Sequence, residues 1–108
     1  MTPMQPQAGQ VVTVFRNRLR PDADPAYSEE LAVMGARVRE IAGFVESKTF
    51  TAADGERVTV VTFADQAGHD AWRTDGPHRT AQRHGVTDYY TECAVQVGTV
   101  QHASSWRA

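Results

Sequence analysis

Residues 57–64, RVTVVTFA, decide the fold of this 108-residue chain. The stretch is rich in β-branched residues and is therefore predicted to be a strand. Because side chains alternate along a strand, Val58 and Val60 point to one side. Val61 and Phe63 point to the other. A strand that is apolar on both sides is expected to be covered on both sides. The predicted helices are enough to cover only one, and a second copy of the chain is the simplest cover for the other.

Three more strands are predicted in the chain. Residues 44–52 pair with residues 57–64 through the hairpin turn Ala53-Asp54-Gly55-Glu56. Val11–Leu19, VVTVFRNRL, is β-branched and aromatic, as strands commonly are. Residues 89–102 form a long final strand, in which alternate side chains share a face.

A helix is predicted between the first two strands. Asp24 is placed to cap its N-terminus, and Pro25 is placed to be its first helical residue. Gly43 is placed to end it. Its apolar residues recur every three or four positions, which is the pattern of one buried stripe. They are Tyr27, Leu31, Met34, Val38 and Ile41.

A second helical region follows residues 57–64. Asp65 is placed to cap a short helix that reaches Trp72. Asp75-Gly76-Pro77 breaks this helix and starts another, which Gly85 is predicted to close. The element order is then β-α-β-β-α-β, the split arrangement of ferredoxin-like folds. We therefore predict an α+β ferredoxin-like subunit with an antiparallel sheet.

The composition narrows the classes of function. The net charge is -2 and the pI is near 6.0, which argues against nucleic acid as a partner. The one cysteine, Cys93, excludes an internal disulfide and a cysteine-based metal cluster. It lies within the last predicted strand, where it is expected to be a small buried residue. No apolar run is long enough to span a membrane, so no membrane partner is expected.

The chain is expected to form one domain, made by residues 10–102. Residues 1–9, rich in Pro and Gln, and residues 103–108 are predicted to be tails. The N-terminal residues lack the basic start and the apolar segment of a secretory signal. A cytoplasmic location is therefore expected.

Residues 71–90, AWRTDGPHRTAQRHGVTDYY, hold the candidate chemistry. His78 and Gln82 are four residues apart and share a helix face. Trp72 precedes the helix break and is placed to wall a pocket between the sheet and the helices. Tyr90 and its neighbour face opposite ways on a strand, so only one of them can enter that pocket. The alternative role is core packing for the aromatic residues, and a surface or helix-capping imidazole for His78.

Other reaction types find little support in the residues. His69, His78 and His84 lack the spacing of a metal site, so no protein-held metal is expected. No GxSxG motif or glycine-rich phosphate loop is present, which argues against hydrolase, kinase and dinucleotide enzymes. Arg16 and Arg18 lie on one side of the first strand. They form either a solvated charged end that prevents edge pairing or a grip for an anion or substrate.

Together these segments resemble the antibiotic biosynthesis monooxygenase family, whose members form dimeric α+β barrels. The resemblance covers about residues 11–100 and rests on five segments. They are VVTVFRNRL, Gly43-Phe44-Val45, DGERVTVVTFA, AWRTDGPHRTAQRHG with Tyr89-Tyr90, and AVQV.

The resemblance implies that two ferredoxin-like subunits pack sheet to sheet, with a pocket between the sheet and the helices of each. Some members of the family oxygenate aromatic polyketide anthrones or quinols with O2 and without metal or flavin. The expected partners are therefore a second copy of the chain, a small aromatic substrate and O2, with no cofactor. In such chemistry the deprotonated substrate supplies the electrons, and the protein supplies a base, shape and dryness.

The candidate residues can be given roles in that chemistry. His78 would be the base, while Asn17 and Gln82 would orient the substrate or O2. The candidates for substrate binding are Trp72, Tyr90, Arg16 and His84.

A haem-degrading branch of the same fold is an alternative. Its members use an Asn, a Trp and a His, and Asn17 and Trp72 resemble the first two. Gln82 stands at the expected histidine position, and glutamine is a poor iron ligand. Haem binding would need His78 or His84 to take over as the axial ligand.

The anthrone-oxygenating branch also has residues that this chain replaces. Its Asn and Trp in and after the third strand correspond to Thr62 and Gln66 here. A further alternative is therefore a ligand-binding dimer without catalysis.

Overall fold

A computed structural model describes residues 4–108 of the chain, and the first three residues of the predicted tail, 1–9, lie outside the described residues. The elements in chain order are β1 (Val11–Leu19), α1 (Ala26–Val38), β2 (Phe44–Thr51), β3 (Arg57–Phe63), α2 (Gln66–Arg73), α3 (Gly76–His84), a π-helical turn (Gly85–Tyr89) and β4 (Tyr90–Thr99). None of the helices within this range combines the length and apolar character that crossing a bilayer requires.

The four strands form one antiparallel sheet in the order β2-β3-β1-β4. β1 pairs with both β3 and β4, while β2 pairs with β3 through the predicted hairpin. The helices lie between β1 and β2 and between β3 and β4 in the chain. The predicted α+β ferredoxin-like subunit with an antiparallel sheet is confirmed.

The register gives the sheet two distinct faces. Val11 on β1 lies opposite Phe63 on β3, and Asn17 lies opposite Arg57. Opposed side chains in an antiparallel pair share a face, and Phe63 packs against Val38 of α1. The odd-numbered residues of β1 and β3 therefore point to the helices, on what we call the helix face. Their even-numbered residues point the other way, on what we call the open face.

The open face is largely apolar, and no helix of residues 4–108 lies over it. Its apolar side chains are Val12, Val14, Phe50, Val58 and Val60. Phe50 is 55% exposed. A shallow groove of about 320 Å³ also lies here, lined by Val12, Val14 and residues 96–100. This is the face for which a second copy is the expected cover.

The buried core consists of two clusters at opposite ends of the helix face. One cluster contains Val38, Phe63 and Trp72, with Met34, Ile41, Phe44 and Val61 around it. The other contains Ala23, Tyr27 and Tyr89, with Leu19 and Tyr90 around it. β3 runs from one end to the other. Its six steps of about 3.3 Å each separate Phe63 from Arg57 by about 20 Å.

Helix α1 begins at Ala26, one residue later than predicted. The Asp24 carboxylate accepts hydrogen bonds from the backbone N–H and the hydroxyl of Ser28, at 3.1 and 2.6 Å. Asp24 thus accepts the backbone N–H of Ser28 in the first turn, although it lies one residue further from the start of the helix than predicted. Leu31 of the predicted buried stripe is 40% exposed. It lies midway along α1, between the buried ends of the stripe.

Helix α3 ends at His84 with Gly85 as its C-cap, as predicted. Gly85 keeps helical dihedral angles, φ -56° and ψ -51°, and the chain continues beyond α3 as a π-helical turn to Tyr89. A Cβ atom at Gly85 would overlap the ring of Tyr90, so the glycine also leaves space for that ring. Because Tyr89 belongs to the turn and not to β4, strand alternation does not separate the two tyrosines. Both contact the ring of Tyr27 edge to face, at 5.6 and 6.0 Å.

The predicted burial of Cys93 is also wrong, since its side chain is exposed. Cys93 lies opposite Asn17 and so belongs to the helix face. The helices cover β1 and β3 but leave the middle of β4 open. Val95 and Val97, on the same face, are 61% and 50% exposed. An apolar strip along β4 is therefore accessible on the helix side of the sheet.

Candidate functional site

A partly exposed strip of the helix face separates the two core clusters, and we call this strip the cleft. We call its base the cleft floor, which consists of Thr13, Phe15, Thr59, Val61 and Val95. These residues are central in the sheet, yet each remains partly or largely exposed. Side chains beneath a fully packed helix layer would be buried. The helices therefore leave room over the middle of the sheet, and this room opens towards β4.

The Phe63 end of the cleft carries a stacked Trp72–His78 pair. The two rings are 3.9 Å apart and inclined by 15°. Trp72 is buried against Phe63 and Val38, so the histidine ring rests on a fixed surface. The structure thus places Trp72 and His78 side by side, two residues that the sequence singled out separately.

Local helix chemistry positions His78. Asp75 precedes α3 in an extended conformation, and its carboxylate accepts the backbone N–H of His78 at 3.1 Å. Pro77 occupies the first turn, where no N–H is needed. Arg37 of α1 forms a two-point ion pair with Asp75, at 2.7 and 2.8 Å. The start of α3 is therefore tied to α1 at this end of the cleft.

The contacts of His78 define which ring nitrogen carries the proton. Nδ1 lies 2.9 Å from the carbonyl oxygen of Trp72. A carbonyl can only accept, so Nδ1–H donates and Nε2 of the neutral ring keeps a lone pair. Burial lowers the pKa of His78, although the Trp72 carbonyl and the Asp75 carboxylate act in the opposite direction. The ring is thus an unprotonated base at neutral pH, with Nε2 as its basic atom.

The other end of the cleft carries Asn17 and Tyr90. Asn17 is 3% exposed, and its Oδ1 has no hydrogen-bond partner in residues 4–108. Tyr90 packs edge to face against Phe15 at 5.5 Å and against Tyr27 at 6.0 Å. Burial raises the pKa of Tyr90, with Tyr27 adding to the effect, so its hydroxyl stays protonated.

Arg57 and Tyr27 also lie at this end of the cleft, although the sequence alone did not identify them as site residues. The Arg57 guanidinium lies over the Tyr27 ring, 5.2 Å from its centroid. Its Nε is buried and also lacks a partner among the described residues. Strand alternation carried the signal, because Arg57 shares the parity of Val61 and Phe63 in residues 57–64.

The candidate site residues therefore fall into separate groups. His78 and Trp72 stand at one end of the cleft, and Asn17 and Tyr90 at the other. Gln82 is exposed on α3, four residues from the half-buried His78.

Arg16 and His84 lie away from the cleft. Arg16 is on the open face and makes a two-point ion pair with Glu56 of the hairpin, at 2.7 and 2.9 Å. Nδ1 of His84 lies 2.9 Å from Oε1 of Glu30, linking α3 to α1 on the outside. The Tyr89 hydroxyl donates to the same carboxylate at 2.6 Å.

A second groove, of about 710 Å³, lies on the outer side of α3. It is lined by Gly76, Pro77, Arg79, Thr80 and Arg83. It contains none of the candidate residues.

The donor set forms no protein-held metal site in residues 4–108, and at Gln82 it departs from the residues expected for haem. Within residues 4–108, no three His, Cys, Asp or Glu side chains converge on a point where an ion could bind. Gln82, at the position that the resemblance assigns to the haem-ligating histidine, is exposed and supplies no good iron ligand. Glu30 engages His84 at 2.9 Å, so that imidazole is directed to α1.

Comparisons with known proteins locate this architecture among solved structures. Rv0793 from Mycobacterium tuberculosis is 25% identical, with a TM-score of 0.76 over 90% of this chain and 100% of that one. A protein from Nitrosomonas europaea, named provisionally as an antibiotic biosynthesis monooxygenase, is 13% identical, with a TM-score of 0.75 over 94% and 100% of the two chains. SnoaB, a cofactor-independent oxygenase from Streptomyces nogalater solved as a mutant, is 20% identical, with a TM-score of 0.68 over 89% and 97%.

These likenesses define the class of fold. The chain has an antibiotic biosynthesis monooxygenase-like fold, as the sequence resemblance implied. No protein-family model matches the sequence, and no curated protein matches it.

Proposed function

We propose that this chain is a small monooxygenase that oxygenates an aromatic, phenol-like or anthrone-like substrate with O2 and without a cofactor. The observation that carries the proposal is the neutral His78, stacked on buried Trp72 with Nε2 free to accept a proton. The likeness to SnoaB, itself a cofactor-independent oxygenase, supports it.

His78 is the general base in this proposal. A substrate lying over the cleft floor gives up a proton to Nε2, and the Trp72 carbonyl keeps the imidazolium oriented through Nδ1–H. The nearby Asp75 carboxylate stabilises the positive charge that develops on the ring. The resulting carbanion or phenolate is electron-rich enough to react with O2, so that the substrate itself supplies the electrons.

The overall reaction balances without another reductant. For an activated methylene carbon, two C–H bonds and the O–O bond break, and one oxygen atom becomes a carbonyl on that carbon. The second oxygen leaves as water with the two hydrogens. The carbon is oxidised by four electrons and O2 is reduced by the same four.

A second copy of the chain completes the proposed enzyme. Val12, Val14, Val58 and Val60 leave the open face apolar, and a matching face on another copy would cover it. Sheet-to-sheet packing of this kind would give the dimeric barrel that the resemblance implies.

The test is O2 consumption with a panel of hydroquinones and anthrones. We expect at least one compound to be turned over by the wild-type protein without added metal, flavin or haem. His78→Gln removes the base while keeping a polar side chain of similar reach, and should lower kcat by about 100-fold or more. His102→Gln, at an exposed position in the C-terminal segment, is the matched control and should leave turnover unchanged.

Two results would oppose the proposal. One is the absence of O2 uptake with every compound of the panel, and the other is uptake that His78→Gln leaves intact. A haem titration separates the main alternative, because a shifted Soret band with micromolar affinity would favour haem chemistry instead.

A further inference from the structure

Two buried polar atoms of the helix face lack hydrogen-bond partners. Within residues 4–108, they are Oδ1 of Asn17 and Nε of Arg57. Leaving a buried polar group unpaired costs about 1–3 kcal/mol, so such atoms are uncommon in a folded protein. Such atoms are commonly paired with a group from outside the chain, either an ordered water or a ligand.

The two atoms belong to neighbouring side chains. Asn17 on β1 and Arg57 on β3 are directly opposed and share the helix face. The Cβ atoms of such a pair are about 5 Å apart. One small group between the two side chains can therefore reach both.

The chemistry of the pair selects the group. An amide oxygen accepts a hydrogen bond, while the Nε–H of arginine donates one. A hydroxyl satisfies both at once, because it donates to Asn17 and accepts from Arg57. A carboxylate offers no proton to the amide oxygen, and an ammonium group is repelled by the guanidinium.

Aromatic side chains surround the pair. Tyr27 lies beneath the Arg57 guanidinium, at 5.2 Å. Tyr90 touches Tyr27 and Phe15 edge to face, at 6.0 and 5.5 Å. Rings arranged in this way favour a flat, apolar body beside the polar pair. The group that fits is therefore a hydroxyl carried on an aromatic ring.

We propose that Asn17 and Arg57 form a subsite for a ring hydroxyl of the substrate, at the end of the cleft opposite to His78. The inference rests on the proposed function for its substrate, and it narrows the class to multi-ring aromatics with a hydroxyl remote from the oxidised carbon. The subsite holds this hydroxyl protonated and orients the molecule along the cleft floor. Asn17 and Arg57 are positioning residues, and the proton is removed at the other end.

Ligand binding without O2 tests the subsite independently of turnover. Naphthol, methoxynaphthalene and naphthoic acid are titrated anaerobically by calorimetry against the wild-type protein and variants. Naphthol should bind tightest, because the methoxy compound cannot donate to Asn17 and the acid cannot satisfy it. Asn17→Leu should weaken naphthol binding about tenfold, since one hydrogen bond is lost, and leave methoxynaphthalene binding unchanged. Arg57→Lys should weaken the binding of both, because the ether oxygen also accepts a hydrogen bond from Arg57.

Arg18→Met serves as the matched control. Arg18 is on the same strand as Asn17 but points to the open face, where it pairs with Asp54 at 2.9 Å. Its removal should leave naphthol affinity unchanged. Thermal unfolding of each variant checks that the fold persists.

Several outcomes would overturn the subsite. They are equal binding of naphthol and methoxynaphthalene by the wild-type protein, tightest binding of naphthoic acid, no naphthol binding, or an equal loss for all three ligands in Asn17→Leu. The wild-type comparison needs no variant to fold. Preferential naphthol binding without O2 uptake would uphold the subsite while the proposed oxygenase function fails.

Discussion

At the scale of single residues, His78 owes its chemistry to two neighbours and to burial. The Trp72 carbonyl fixes the proton on Nδ1, and the indole ring below holds the imidazole in place. Burial disfavours the charged form and lowers the pKa. A base of lowered pKa stays unprotonated at pH values where an exposed histidine would begin to take up a proton.

The imidazole of His78 should therefore titrate below its ordinary pKa of about 6.5. Asp75→Asn keeps a residue suited to capping α3 but removes the negative charge that favours the imidazolium. The His78 pKa should fall further in this variant. NMR titration of the Cε1–H signal measures both values, with Asp54→Asn as a distant control. A His78 pKa at or above the ordinary value would contradict this explanation.

Gly85 lacks a side chain at a position where the Tyr90 ring occupies the space beside its backbone. A Cβ atom there would overlap the Tyr90 ring, which Phe15 and Tyr27 hold on its other sides. Gly85→Ala should lower the free energy of unfolding by about 1–3 kcal/mol, because the ring must shift in a packed cluster.

Gly35→Ala is the control for Gly85→Ala. Gly35 lies within α1, and nothing stands within 4 Å of its added Cβ. Alanine there should stabilise the helix by about 0.5–1 kcal/mol. Chemical denaturation of both variants measures the difference. Equal effects of the two substitutions on the free energy of unfolding would show that the Tyr90 ring shifts without cost, which would contradict this explanation.

At the scale of elements, α1 and α3 run antiparallel and are tied by polar contacts at both ends. Arg37 and Asp75 join them at the Trp72 end, and Glu30 receives His84 and the Tyr89 hydroxyl at the other. Between these ties lies the cleft. These contacts join the two helices at both ends.

The stability that the Glu30 contacts contribute should depend on pH. Burial opposes ionisation, but hydrogen bonds from Tyr89 and His84 outweigh it and lower the Glu30 pKa below 4.5. A lowered folded-state pKa adds stability above pH 4.5, and this stability is lost as the pH falls through the folded value. Glu30→Gln should therefore cost about 1–2 kcal/mol at pH 7 and less at pH 3.

Glu29→Gln, at the exposed neighbouring position, is the control for the Glu30 tie. Glu29→Gln should change the free energy of unfolding little at either pH. Urea denaturation at the two pH values gives the comparison. A loss of free energy of unfolding in Glu30→Gln that is the same at both pH values would contradict this role of Glu30.

The sequence predicted the elements better than their ends and surroundings. β-branched runs and the three-or-four-residue stripe suffice to predict β1, β3 and α1, because these periods are local. The space that Gly85 leaves for the Tyr90 ring is a feature of side-chain packing, which these periods do not show. The exposure of Cys93 and Leu31 likewise depends on where the helices lie over the sheet.

The same distinction applies to the site. Trp72 and His78 lie six residues apart, so the sequence alone could single out both as candidates in one segment. Asn17 and Arg57 meet only through strand register, and the unpaired state of their buried atoms is a property of the folded layer. Local pattern alone therefore could not identify Arg57 as part of the site.

At the scale of the whole molecule, one chain has a covered face and an uncovered one. The open face presents valines on two central strands, and it contains the groove along β1 and β4. Apolar surface of this kind is normally removed from water by a partner. We therefore expect a homodimer in solution, with the two open faces in contact.

Val60→Asp should separate this dimer, because it would bury an unpaired carboxylate between the two sheets. Val33→Asp introduces the same charge at a valine of α1 that is 60% exposed, and should leave the dimer intact. Sedimentation equilibrium at micromolar concentration distinguishes the two. A wild-type protein that sediments as a folded monomer would rule out this assembly.

Isotope labelling tests the central claim most directly. The wild-type protein and His78→Gln are incubated under ¹⁸O₂ with each hydroquinone and anthrone of the panel, and the products are analysed by mass spectrometry. The account predicts a product of the wild-type protein that carries one ¹⁸O atom, formed without added cofactor and greatly reduced in the variant. Unlabelled products throughout, or equal labelling by the variant, would contradict it.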